Sequence, residues 1–141
     1  MGAVSVDQIL ITPLKRIQVD GGDVLHGMKC SDPGYADFGE AYFSMVEVGG
    51  VKAWKRHLCM TLNLIVPIGT VFFAFMDDEE LIREELVGDE RYVRLTVPPG
   101  IWFGFKGVGS KESVVLNIAN MPHDPGEVER RLPADFDYIW K

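Results

Sequence analysis

Residues 61–76 read TLNLIVPIGTVFFAFM, the longest apolar stretch in the chain. It is too short to span a bilayer and is broken by Asn63, Pro67, Gly69 and Thr70. Pro67-Ile68-Gly69 in its middle has the residue types of a turn. The flanking halves are rich in Val, Ile, Leu and Phe, which suits two strands joined by that turn.

The same rhythm continues outward. Upstream, Glu40–Val48 (EAYFSMVEV) places Glu40, Tyr42, Ser44, Val46 and Val48 on one face and Phe43, Met45 and Glu47 on the other. Gly49-Gly50 closes it, and Val51–Leu58 follows as another strand. Val24–Cys30 reads as a strand between the turns Asp20-Gly21-Gly22-Asp23 and Ser31-Asp32-Pro33-Gly34, and Gln8–Arg16 is β-rich as far as Pro13. Downstream, Tyr92–Val97, Ile101–Phe105 and Ser113–Ile118 are strands, the first two separated by Pro98-Pro99-Gly100. Asp77–Glu85 (DDEELIREE) alone has helical charge spacing and reads either as a short helix or as a solvated turn. The tail beyond Asn120 is polar and Pro-containing, and ends in Phe136, Tyr138 and Trp140. Strands recurring every ~8–12 residues between Gly, Pro and Asp turns predict an all-β barrel or sandwich with little helix. With 141 residues and no repeat or linker, residues 1–141 form one domain.

Composition narrows the function. The net charge of -7 is a poor match for nucleic acid, which needs clustered Lys and Arg. One phosphorylated ligand remains compatible, since one or two placed cations can hold it. The opening residues MGAVSVDQ lack a basic and then apolar leader, so a cytoplasmic protein with no membrane partner is expected. Cys30 and Cys59 read as reduced thiols packed in the core or pocket wall.

Four segments in order carry a resemblance. They are Asp20-Gly21-Gly22-Asp23, the pair Glu40–Ser44 with Val51–His57 (VKAWKRH), Pro99–Phe105 (PGIWFGF), and His123-Asp124-Pro125 with a closing Trp140. Together they resemble the dTDP-4-dehydrorhamnose 3,5-epimerase family, and more loosely the sugar 3,4-ketoisomerases. The resemblance covers about Leu14 to Trp140 and implies a double-stranded β-helix of the cupin type. It implies acid–base chemistry without a cofactor on a nucleotide-linked 4-keto-6-deoxy sugar, whose ketone itself acidifies the neighbouring proton. It also implies a homodimer, with Gln8–Arg16 as the strand exchanged between copies.

Several family positions are altered. Lys55 stands where the family keeps its catalytic His, Phe103 replaces a second His, and Gly22 replaces a turn Arg. His57, two residues beyond Lys55, is kept. In place of the family's tail Tyr, which acts as the acid, the chain offers His123, or Asn120 just upstream. The resemblance therefore gives His57 and Lys55 as the base side, His123 as the acid side and Lys52 as a diphosphate contact. Glu40, Tyr42, Asn63, Trp102, Phe103 and Asn120 complete the expected substrate-binding set.

Residue chemistry bears on each of these. Positions 55 and 57 share one strand face, with Trp54 and Arg56 on the other. Lysine acts as a base only if burial lowers its pKa, whereas His titrates near neutrality. His57, His123 and Lys52 each have a structural reading as well: a hydrogen-bonded core histidine, a loop histidine and a solvated lysine. Cupin metal sites use His-x-His, a nearby Glu and a later His. Here Lys55, Cys59, Met60, Thr61 and Phe103 occupy those places, so no metal is expected. Three functions follow: an epimerase or isomerase, a relative that binds the nucleotide sugar without converting it, or an enzyme recruited to other enolisation chemistry.

Overall fold

A computed structural model of the chain describes residues 3–141. Twelve strands run in chain order: β1 (Leu10–Pro13), β2 (Arg16–Ile17), β3 (Val24–Leu25), β4 (Glu40–Val46), β5 (Val51–His57), β6 (Leu62–Ile68), β7 (Thr70–Met76), β8 (Ile82–Gly88), β9 (Val93–Val97), β10 (Trp102–Gly107), β11 (Ser113–Ala119) and β12 (Val128–Arg130). Two five-stranded antiparallel sheets have the orders β1-β9-β6-β11-β4 and β12-β5-β10-β7-β8, and β2 and β3 form a separate hairpin. The helical content of the described residues is three short 3-10 turns. The all-β double-sheet barrel anticipated from strand spacing is what the chain builds. No helix of the described residues is long and apolar enough to cross a membrane.

Residues 61–76 do split at the expected turn, but their halves enter different sheets. Gly69 makes the crossing at φ 91°, where a side chain's Cβ would lie 2.1 Å from Ser113 Oγ. Between the sheets pack Leu62, Leu64 and Val66 of β6, Val71, Phe73 and Phe75 of β7, and Phe103 and Phe105 of β10. The outer face of β6 is buried too. Asn63 Nδ2 donates to Gly34 O and Arg94 donates to Gly27 O and Pro33 O, holding residues 26–34 over the sheet. That segment is consequently a strapped loop, and the expected strand Val24–Cys30 shortens to Val24–Leu25.

Asp77–Glu85 forms no helix. The buried Asp77 carboxylate accepts from the backbone N–H groups of Val6, Glu79 and Leu81, closing a turn. Ile82–Gly88 then pairs along the whole of β7. The charge spacing is better served by a strand edge, where Arg83 and Arg91 both reach Glu85. Within Gln8–Arg16, β1 pairs with β9 at the edge of the first sheet and β2 pairs with β3 in the separate hairpin. Cys30 and Cys59 are free and exposed, not packed inside.

A second apolar cluster lies on the outer face of the β5–β10–β7 sheet. Trp54, Ala74 and Trp102 are covered there by Phe136, Tyr138 and Trp140 of the tail. Tyr138 Oη donates to Glu84 Oε2 at 2.5 Å, and Lys141 Nζ donates to Glu84 Oε1 at 2.6 Å.

Phe73 is wholly buried between Phe75 and Phe105, whereas Ile139 is 86% exposed. Phe73→Ala should cost about 3–5 kcal/mol in urea unfolding, and Ile139→Ala under about 0.5 kcal/mol.

Candidate functional site

The site follows from an irregularity in β5. Across β10, Lys55 faces Phe103 and Lys52 faces Phe105, but Ala53 faces Gly104, so Trp54 is an extra residue. Its backbone bonds instead to Arg131 on the β12 side, N to O at 2.8 Å and O to N at 2.9 Å, continuing the β5–β12 register. A regular strand would aim positions 52 and 55 to opposite faces. The bulge aims both inward. Lys55 and His57 share the inner face, and Trp54 and Arg56 the outer one, as their spacing predicts.

Lys52 and Lys55 open onto a cavity of about 530 Å³ at one mouth of the barrel. Its second-sheet wall also includes Phe103 and Phe105, and β12 adds Arg130, which pairs in register with Lys55. The opposite wall belongs to the first sheet, with Tyr42 and Ser44 from β4, Val115 and Asn117 from β11, and Leu64 from β6. Lys52 Nζ donates to Ser44 Oγ at 2.9 Å, spanning the gap between the sheets. Asn117 Nδ2 donates to Tyr42 Oη at 2.9 Å, while the buried Asn117 Oδ1 has no partner.

The cavity lining carries four basic side chains, Lys52, Lys55, Arg130 and Arg131, against one carboxylate, Asp135. Among the described residues, Lys52, Lys55 and Arg130 form no ion pair with a carboxylate. Burial lowers the Lys55 pKa, and the charges of Arg130 and Lys52 add to the effect. Lys55 Nζ lies 5.7 Å from the centre of the Phe103 ring, which gives it an aromatic face in place of a counter-ion.

Deeper on β5, His57 and Glu127 form a buried pair through Nδ1 and Oε1. Glu127 Oε2 accepts from the N–H groups of Cys59 and Met60. Burial pushes the Glu127 carboxyl up, but the bonds from His57, Cys59 and Met60 outweigh it and hold it below the usual range. An ionised carboxylate only accepts, which assigns the shared hydrogen to His57 Nδ1. Burial, helped by Lys55 and Arg130, lowers the imidazole pKa against the pull of Glu127. The ring is therefore neutral, with a lone pair on Nε2, and that atom is buried without a partner. His57 stacks on Phe103 at 6.4 Å and does not itself line the cavity. Among the described residues no three His, Cys, Asp or Glu side chains converge as a metal site.

The expected site residues thus divide. Lys52, Lys55, Tyr42 and Phe103 meet at the cavity, and His57 lies behind Phe103. Trp102 does not join them. It is on the outer face of β10 under Phe136, with the Arg56 and Arg131 guanidiniums over its ring. Asn63 is held on the outer face of β6, its amide satisfied by Gly34 and Thr96. Asn120 Oδ1 accepts from Thr61 N and caps the strand end. Glu40 accepts from the His123 backbone N–H at 2.9 Å, and His123 is exposed and outside the cavity. Asn117, Arg130 and Glu127 escaped the sequence reading. Alternation along Ser113–Ala119 could have indicated Asn117, but Arg130 and Glu127 depend on how the tail returns.

Comparison with known proteins fits this geometry. A dTDP sugar isomerase from Desulfovibrio desulfuricans superposes with a TM-score of 0.90 and is 33% identical, covering 96% of this chain and 92% of that one. The chain belongs to the family of dTDP-sugar isomerases and epimerases. A probable low-salt glycan biosynthesis epimerase from Haloferax volcanii is 29% identical over 103 residues, 67% of this chain and 66% of that protein, just under two thirds of its length. The sugar 3,4-ketoisomerase QdtA from Thermoanaerobacterium thermosaccharolyticum shares the family's fold, with a TM-score of 0.77 at 17% identity over 90% of each chain. No family model matches the sequence.

The dyad makes a pH prediction. His57 and Glu127 both lie below their unfolded values, so the unfolded chain binds more protons and acid favours unfolding. The His57 contribution is complete above about pH 6.5 and fades below it, and the Glu127 contribution is complete above about pH 4.3 and fades below that. Urea unfolding at a series of pH values should show stability falling in these two windows. Glu127→Gln should flatten the lower one; an unchanged pH slope would remove the dyad from the account.

Proposed function

We propose that the protein is a cytosolic isomerase or epimerase acting on a nucleotide-linked 4-keto-6-deoxy sugar by proton abstraction next to the ketone. One observation carries the reading: a single barrel mouth gathers three cations lacking carboxylate partners, and a neutral, carboxylate-oriented histidine stands directly behind its Phe103 wall. Lys52, Lys55 and Arg130 suit a diphosphate, whose charge replaces the missing counter-ions. The apolar floor of Leu64, Val115, Phe103 and Phe105 suits a deoxy sugar. Related proteins supply the ligand class: QdtA is known in complex with TDP and with TDP-4-keto-6-deoxyglucose.

In this reading the base side is β5. His57 Nε2 takes the proton beside the ketone, Glu127 holds the ring's tautomer, and the Lys55 ammonium steadies the enolate oxygen. No cofactor enters, because the electrons move only onto the substrate's own carbonyl. A second reading, a protein that binds the nucleotide sugar without converting it, draws on the burial of His57 Nε2 behind the cavity wall.

One experiment separates the two. TDP-4-keto-6-deoxyglucose is incubated with the protein in deuterium oxide and followed by proton NMR. The proposal expects deuterium to enter beside the ketone, and His57→Ala to slow this about 10²-fold or more. Thermal stabilisation by TDP should survive His57→Ala and weaken in Arg130→Ala. Stabilisation without exchange in the wild type would establish the binding-only reading.

We also propose a homodimer, and the surface that supports it is β4. This edge strand has no Lys or Pro to protect it, and its outer face exposes Phe43 and Met45 beside Leu116 and Val114 of β11. Light scattering should give twice the chain mass, and Phe43→Lys should halve it.

A further inference from the structure

The tail histidine expected to act as the acid is outside the cavity, which leaves the wall facing Lys55 to be searched for a proton donor. We propose that Tyr42 is the acid that protonates the enolate on the face opposite the base, with Asn117 as the residue that positions it. This rests on the isomerase reading above and adds a residue and a role to it.

Three observations converge on the phenol. Tyr42 lines the cavity from β4 of the first sheet, whereas the base side stands on β5 of the second. A sugar ring held between the two sheets therefore turns one face to the β5 wall, behind which His57 lies, and the other to Tyr42. The sheets close on each other here, as the Lys52–Ser44 bond at 2.9 Å records.

The hydrogen bonding of the phenol sets its direction. Asn117 Nδ2 donates to Tyr42 Oη, so the oxygen is an acceptor in that contact and its own proton is free for the cavity. Register enforces the pairing, since Asn117 faces Tyr42 directly across β11 and β4. Asn117 is 4% exposed and its Oδ1 is buried without a partner beside the cavity. A substrate hydroxyl supplies the missing donor, which would fix the sugar relative to the phenol. Burial and the charge of Glu40 keep the phenol protonated in the resting protein.

The proton balance closes without another reactant. The base takes the proton from the carbon next to the ketone, and the C–H pair moves onto the carbonyl oxygen as the enolate. The enolate then collapses, its carbon takes the Tyr42 proton on the other face, and Tyr42 is left as phenolate. The Asn117 N–H bond strengthens on that phenolate, and Arg130 lowers its energy further. Solvent at the open mouth returns a proton to Tyr42 and removes one from the base.

The two half-reactions can be read separately. In deuterium oxide the wild type should exchange the proton beside the ketone and also invert that carbon, both visible by NMR. Tyr42→Phe should keep exchange within a few-fold of wild type, through return of deuterium from the base side, and lose inversion about 10²-fold or more. Its thermal stabilisation by TDP should remain. Asn117→Asp keeps the phenol but offers it only an acceptor, so it too should exchange without inverting, and it serves if Tyr42→Phe folds poorly. Inversion at near wild-type rate in both variants, or a wild type that exchanges without inverting, overturns the role of Tyr42. A wild type that neither exchanges nor inverts removes the isomerase reading itself.

Discussion

The reciprocal hydrogen bonds between Trp54 and Arg131 are the constraint on which the site depends. They hold one extra residue out of the β5–β10 ladder and so reset the facing of everything before it. Without the bulge Lys52 would point outward beside Trp54, and the cavity would keep one lysine from β5. With it, Lys52 and Lys55 stand over Phe105 and Phe103, and the tail is fastened where Arg130 can join them. The indole of Trp54, turned outward, meets Phe136, Tyr138 and Trp140, so the same bulge anchors the tail's aromatic end. Gly104 permits this closeness: a Cβ there would lie 2.4 Å from that of Ala53 and 3.0 Å from the Trp140 ring.

Charge is then distributed by burial. Among the described residues, six of the fourteen Lys and Arg side chains form ion pairs: Arg56 with Asp78 and Glu129, Arg83 and Arg91 with Glu85, Arg94 with Asp32, Lys111 with Asp89 and Lys141 with Glu84. Lys52, Lys55 and Arg130 at the cavity have no such partner. Burial first, and then the charges of Arg130 and Lys52, lower the pKa of Lys55. The His57–Glu127 pair is the opposite case, a carboxylate satisfied by one imidazole and two backbone N–H groups, which fixes the ring in one tautomer.

The fold was largely legible in the chain because strand length, turn residues and alternation are local. Residues 61–76 and 40–46 read correctly for that reason. The departures share a cause. Asp77–Glu85 is open in the sequence between a short helix and a turn, and a buried aspartate and an open strand edge decide for a turn that runs into β8. Asn63, Trp102 and Asn120 have suitable chemistry on suitable strands, yet face outward or cap a strand end, and facing is a tertiary property. The site was legible where two residues share a face, as Lys55 and His57 do. It was not legible where the partner comes from a distant turn, as Glu127 does.

Phe103 shows why a replaced histidine need not empty a site. Its ring stacks on His57 on one side and takes the Lys55 ammonium near its face, while its edge of the core continues through Phe75 and Phe73. A histidine there would compete with His57 for protons and add a possible third charge beside Lys55 and Arg130. An apolar ring lowers the local dielectric response instead, which favours the neutral imidazole and strengthens any field the two cations exert on an enolate oxygen. Substituting Lys55 and Phe103 together for two histidines therefore moves the positive charge from a titrating ring to a fixed ammonium. In the proposed reaction that leaves proton transfer to His57 behind one wall and to the phenol of Tyr42 on the other, with stabilisation of the enolate assigned to a separate group.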